Sequence, residues 1–276
     1  MSKVAANGLS VHVERLAPAE PASGAHRTAP TAVLIHGLAL DTLASWYLTM
    51  AYPLAAAGLD VVMYDLRGHG HTERPAEGYA LDDFVDDLAA LLAALDITGP
   101  VCLLGNSFGG TIAFAYAARH PERVAAIVAV ESVPPIAAWR ERMPRWLSNA
   151  VAYLPDATLA GIGERGGVAR RAQNVRQVIA ATSLTRDAPA SRIPPEEHIA
   201  AIGCPVLCVY GGAATVRELA PDVRRLLPQA RIVTVPGQKH TVLVDRPDAV
   251  RDIVVPWLLQ SGGLHQDHHQ LASIDQ

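Results

Sequence analysis

The 276 residues, half of them hydrophobic and 18% charged, are enough for one large buried core. A net charge of −4 argues against nucleic acid as the principal partner. No run of about 18 or more uninterrupted apolar residues offers itself as a membrane span.

In chain order, Val11 to Leu16 and its neighbours read as an initial antiparallel strand, and a Pro-containing loop from Ala17 to Pro30 links it to the core. Ala32 to Ile35 and Asp60 to Tyr64 have strand length and composition, and each runs into a Gly-containing turn. Asp82 to Leu95 has the spacing of an amphipathic helix, with acids in its first turns where the helix dipole favours them. Val101 to Leu104, Val124 to Val130, Pro205 to Tyr210 and Arg231 to Val235 are further strands, and Gly110 to Arg119 is a helix. A last helix runs on from Asp248, with Pro247 at its start and Asp245 expected to cap or brace it. Strands alternating with helices predict a mainly parallel sheet covered on both faces. The polar stretch Gly262 to Gln276, with His265, His268 and His269, reads as a tail rather than a metal site.

Cys102 and Cys208 fall in predicted core strands, with Cys204 just before the second. Buried reduced thiols in a reducing compartment are the expectation. A metal at Cys204 and Cys208 would need two more ligands, and none is evident, so neither metal nor cofactor is expected. Met1 to Gly8 lacks the long apolar core of a secretory signal, which points to the cytoplasm.

The stretch Gly105-Asn106-Ser107-Phe108-Gly109 carries the chemistry. Strand before it and helix after it require a tight turn, and such a turn forces its central residue into a strained conformation that presents the serine hydroxyl to substrate. Serine needs a base to take its proton. Of the eleven histidines, His240 sits on the loop after the predicted strand Arg231 to Val235, from which its ring can reach the carboxyl edge of the sheet.

Four stations in order, His36-Gly37, Asp65 to Gly70, the serine turn and the His240 loop, make the chain resemble the α/β-hydrolase superfamily over nearly its whole length. The resemblance implies a mainly parallel eight-stranded sheet with helices on both faces and a helical lid inserted after the sixth strand. It also implies two oxyanion-hole amides, one from the turn after His-Gly and one from the residue after the serine, here Leu38 and Phe108. Such donors are worth about 3–4 kcal/mol each. Asp65, Arg67 and His69 match a structural turn of the family and are expected to hold loops together without touching substrate. The acid departs from the common pattern. Family members usually carry an aspartate after the seventh strand, where this chain has Ala214. A second family location lies at the end of the sixth strand, where Glu131 follows seven apolar residues. A carboxylate there would be costly to leave unpaired. Glu131 is therefore the expected partner of His240, with Glu218 and Asp222 as fallbacks.

The lid is expected at residues 133–200, between core segments 1–132 and 201–262, with residues 263–276 as the tail. Residues 133–200 hold nine arginines, no lysine and six acids. That surplus is either recognition of an anionic substrate, such as an acyl group linked to CoA or a carrier protein, or a solvated helix face. His36, Gly37, Trp46, Trp139 and Trp146 are candidates for the substrate pocket, with ordinary packing as the alternative for the tryptophans. The expected function is a serine hydrolase of a small or medium ester, thioester or lactone, with cleavage of a carbon–carbon bond beside a carbonyl also within reach. A non-hydrolytic lyase, cyclase or acyltransferase on the same scaffold is the second reading, and a ligand-binding protein the third. The oligomeric state is left open.

Overall fold

The computed structural model describes residues 2–19, 29–152 and 175–261. Eight strands form one sheet: β1 (Ser2–Ala6), β2 (Leu9–Leu16), β3 (Thr31–Ile35), β4 (Asp60–Tyr64), β5 (Val101–Asn106), β6 (Val124–Val130), β7 (Val206–Gly211) and β8 (Arg231–Val235). Their spatial order is β1-β2-β4-β3-β5-β6-β7-β8. β1 and β2 pair antiparallel with each other, and β2 pairs antiparallel with β4, while every pairing from β4 to β8 is parallel. The predicted initial strand is thus the second half of a hairpin closed at Asn7-Gly8, both with positive φ.

The five inner strands from β3 to β7 are built mostly of buried Val, Ile, Leu, Ala and Met, as a sheet covered on both faces requires. One face packs against α2 (Leu81–Ala94) and α3 (Phe108–Arg119), where Phe84, Leu88, Ile112 and Phe114 join the larger core. On the other face α1 (44–56) and the C-terminal helix Pro247–Gln260 pack Met50, Leu54, Val250 and Val254 against Leu34, Met63 and Leu104. The middle of α1, Tyr47–Ala51, is wound as a π-helix.

After β6, the described residues are helical at α4 (Ala137–Ala152), 175–181, Leu184–Asp187 and Glu196–Ala200, with no strand among them until β7. Arg165, Arg170, Arg171 and the C-terminal histidines lie outside the described residues. Asp245 does not cap the last helix. It closes the short helix Val242–Asp245 and accepts a hydrogen bond from the Thr241 hydroxyl, while Arg246 occupies the cap position. Among the described residues no helix is long and apolar enough to cross a membrane.

Candidate active site

Register places the site. Asn106 of β5 is paired with Val130 of β6, and Val130 with Val209 of β7. Ser107 and Glu131, each the next residue along, therefore emerge side by side at the carboxyl edge of the sheet. The ladder carries one step beyond the strands: Ser107 N–H donates to Val130 O at 2.8 Å, and Glu131 N–H to Val209 O at 2.8 Å. Both residues then turn off with positive φ, 52° for Ser107 and 53° for Glu131. A non-glycine residue held there costs about 1–3 kcal/mol and persists only where its surroundings fix it. Here the flanking ladder bonds do so. The serine turn also needs its glycines. A Cβ on Gly109 would strike the Ile35 and His36 carbonyls, so only glycine lets α3 start so close to β3.

The chain then brings the His240 ring to both. His240 Nε2 lies 2.9 Å from Ser107 Oγ, and His240 Nδ1 lies 3.1 Å from Glu131 Oε2. The second carboxylate oxygen, Oε1, accepts the Gly211 N–H. Glu131 is fully buried, whereas half of the His240 side chain is exposed, so one end of this relay is dry and the other open. Gly211 serves twice. Besides donating to Glu131, it lies so close to the histidine loop that a Cβ there would sit 2.5 Å from Gln238 O and 2.6 Å from Lys239 O. Ala213 N–H also donates to Gln238 O at 2.8 Å, which seats that loop on the end of β7. Ala214, at the conventional acid position, has no group with which to reach the imidazole.

Beside the serine, the amides of Leu38 and Phe108 have no acceptor among the described residues. Phe108 is the first residue of α3, where the N–H has no intrahelical partner. Unpaired amides at a helix start and on an adjoining loop can receive a developing negative charge.

Comparison with known proteins bears on the fold that carries this arrangement. A family model described as the alpha/beta hydrolase fold matches residues 30–166. A carboxylesterase structure from Nitrososphaera gargenis superposes with a TM-score of 0.68 at 25% identity, covering 92% of this chain and 95% of that one.

The chain belongs to the α/β-hydrolase fold superfamily.

Its curated relatives include a Bacillus subtilis protein provisionally named 2-succinyl-6-hydroxy-2,4-cyclohexadiene-1-carboxylate synthase, 28% identical over 72% of this chain and 80% of that one. The 2-hydroxymuconate semialdehyde hydrolase of Pseudomonas sp. strain CF600 is 43% identical, over 36% of this chain and 35% of its own. The protein is an enzyme of the α/β-hydrolase fold.

The remaining sequence candidates of this α/β-hydrolase fall on both sides of the site. Gly37 adjoins the serine: a Cβ there would lie 3.3 Å from Ser107 Cβ. His36 is fully buried and engaged with backbone, its Nδ1 2.7 Å from Gly37 O and its Nε2 accepting the Leu66 N–H at 2.9 Å. Trp46 belongs to the core and not to a pocket wall, because its ring is wholly buried and its Nε1 donates to Ile35 O at 3.0 Å. Trp139 of α4 is nearly as buried and stacks on the Phe108 ring, with centroids 6.2 Å apart. Trp146 packs, partly buried, against the same core. Glu218 pairs with Arg142 and Asp222 with Arg225, both exposed and neither bonded to His240.

Asp65, Arg67 and His69 hold loops, as their match to a structural turn implies. Asp65 accepts from His12 and from the amides of Leu43 and His71. Burial would raise its pKa, but His36, those amides and His12 outweigh that and leave the carboxyl below its ordinary range. The Arg67 guanidinium is held by Asp87 and two carbonyls. Sequence reasoning missed Asp41. Its Oδ2 accepts from Gly37 N at 2.8 Å and from Asn106 Nδ2 at 3.0 Å, tying the loop before Leu38 to the residue before Ser107. Only its position five residues beyond His36 could have hinted at this.

Proposed function

We propose that this enzyme is a serine hydrolase of an ester, thioester or lactone with a small or medium acyl group, working through a Ser107–His240–Glu131 triad and an acyl-enzyme. The observation that carries the reading is the unbroken hydrogen-bonded line from Ser107 Oγ through the His240 ring to the Glu131 carboxylate. Glu131 accepts at Nδ1, which leaves Nε2 with a lone pair toward the serine. As Ser107 attacks the carbonyl, His240 takes its proton and passes it to the leaving group, and the buried carboxylate balances the imidazolium. The Leu38 and Phe108 amides receive the oxyanion. Water, deprotonated by His240, then attacks the acyl-enzyme and releases the acid. Residues 133–200 are assigned the role of lid, and a CoA- or carrier-linked acyl donor fits their arginine surplus. Neither nucleic acid nor membrane is a partner in this reading, and the cytoplasm is its setting.

A panel of p-nitrophenyl esters tests this. Turnover by the wild type should vanish in Ser107→Ala and fall steeply in Glu131→Gln, and a fluorophosphonate probe should label only proteins that retain Ser107. A wild type that neither turns over any ester nor takes the probe would favour the second reading, a non-hydrolytic lyase, cyclase or acyltransferase. The likeness to a Bacillus subtilis protein named as a synthase keeps that reading in view.

A further inference from the structure

The amide of Leu38 is flanked on both sides by amides that are tied down. Gly37 N–H is held by Asp41, and Ala39 N–H donates to His69 Nε2 at 2.8 Å. Ala39 needs such a tether. Its φ is +66°, and Leu40 N–H donates to Leu38 O at 2.9 Å across it, so Leu38, Ala39 and Leu40 form a three-residue turn of the rarer, strained hand. A left-handed alanine at the centre of such a turn relaxes unless a partner fixes it.

The His69 ring is built for that one task. It is nearly inaccessible, and its other nitrogen, Nδ1, lies 2.8 Å from the carbonyl oxygen of Arg67. A carbonyl can only accept and an amide N–H can only donate, so the two partners dictate the neutral ring with its proton on Nδ1 and a lone pair on Nε2. Arg67 in turn is clamped by Asp87 of α2 and by the carbonyls of Gly78 and Asp83. The acceptor at Nε2 is therefore anchored to the body of the fold rather than to a mobile loop.

We infer that His69 is a positioning residue for the oxyanion hole: its Nε2 lone pair holds Ala39 in the left-handed turn and thereby aims the free Leu38 amide at the substrate carbonyl oxygen. This rests on the serine-hydrolase reading for its consequence in turnover, but the contact itself does not. Loss of the tether weakens binding of the oxyanion, which exists only in the transition state, so it lowers kcat more than it raises KM.

The test compares His69→Leu, which has no acceptor, with His69→Gln, whose amide oxygen can accept from Ala39 N–H. Expected is a drop of roughly 10- to 100-fold in kcat for His69→Leu with little change in KM, short of the ~10²–10³-fold lost when an oxyanion donor is removed outright. His69→Gln should recover at least half of that loss on a logarithmic scale. A folded His69→Leu with wild-type kcat overturns the inference, and so does equal loss of kcat in both variants in step with their melting temperatures. Isotope-edited NMR of the wild-type ring nitrogens decides the matter if neither variant folds. A proton on Nδ1 and a hydrogen-bonded lone pair at Nε2 support the tether, and the opposite tautomer or a charged ring overturns it. If wild type shows no ester turnover and no probe labelling, the serine-hydrolase reading fails by itself, and the NMR result still judges the His69–Ala39 contact.

Discussion

Replacing Glu131 by glutamine keeps the shape of the side chain and changes what it can accept. The carboxylate uses one oxygen for the Gly211 N–H and the other for His240 Nδ1, at 3.1 Å. A glutamine amide has a single oxygen and cannot serve both. If the oxygen stays on Gly211, its NH2 faces Nδ1, and the imidazole takes the tautomer with the proton on Nε2, pointing at Ser107. The ring can then no longer accept the serine proton. A tautomer error of this kind costs about four orders of magnitude in kcat, or about 5 kcal/mol of transition-state stabilisation. If the oxygen turns to His240 instead, Gly211 N–H loses its buried acceptor, at roughly 1–3 kcal/mol of stability. The two outcomes separate in the assay: ester turnover and probe-labelling rate report the first, and urea denaturation the second. A Glu131→Gln protein that keeps kcat within about tenfold of wild type and loses no stability in urea would refute the assignment of Glu131 as the acid.

Gly211→Ala places a Cβ against Gln238 O and Lys239 O, so the histidine loop must move; kcat should fall by about tenfold or more with Ser107, His240 and Glu131 all intact. Burial pushes the thiols of Cys102 and Cys208 up to about 12 and that of Cys204 to about 11, so the native protein at pH 8 should react negligibly with a disulfide reagent, and one unfolded in denaturant should react fully. Burial lowers the pKa of His69 to about 4 from an ordinary 6.5. The unfolded chain thus binds this proton more readily than the native one, and stability falls as pH drops from 6.5 toward 4, by about 3 kcal/mol at pH 4. His69→Gln should flatten that slope in urea titrations at pH 7 and pH 4.5, and an unchanged slope would contradict the assignment.

The order of strands and helices was legible because apolar runs of strand length alternate with helical spacing, and the serine turn because Gly105, Gly109 and Gly110 bracket it. Glu131 could be singled out since a carboxylate directly after seven apolar residues demands a partner. That Asp65, Arg67 and His69 hold loops was expected from the resemblance, but which loops they join, and the part played by Asp41, were not legible. Asp41 and His69 act on the Leu38 loop through contacts to Gly37 and Ala39, and nothing in their local sequence encodes those distances. Trp46 carried the opposite ambiguity. An indole near the oxyanion loop serves a pocket or a core equally well, and only its hydrogen bond to Ile35 O and its full burial decide for the core. The cap expected of Asp245 failed because a four-residue helix, Val242–Asp245, intervenes and takes up that carboxylate.

Mapping the residue that a fluorophosphonate modifies, by mass spectrometry of the wild-type protein, bears most directly on the triad. A single adduct on Ser107, forming many times more slowly once His240 is replaced by alanine, is the predicted result. An adduct elsewhere, or labelling of Ser107 at an undiminished rate without the imidazole, would contradict it.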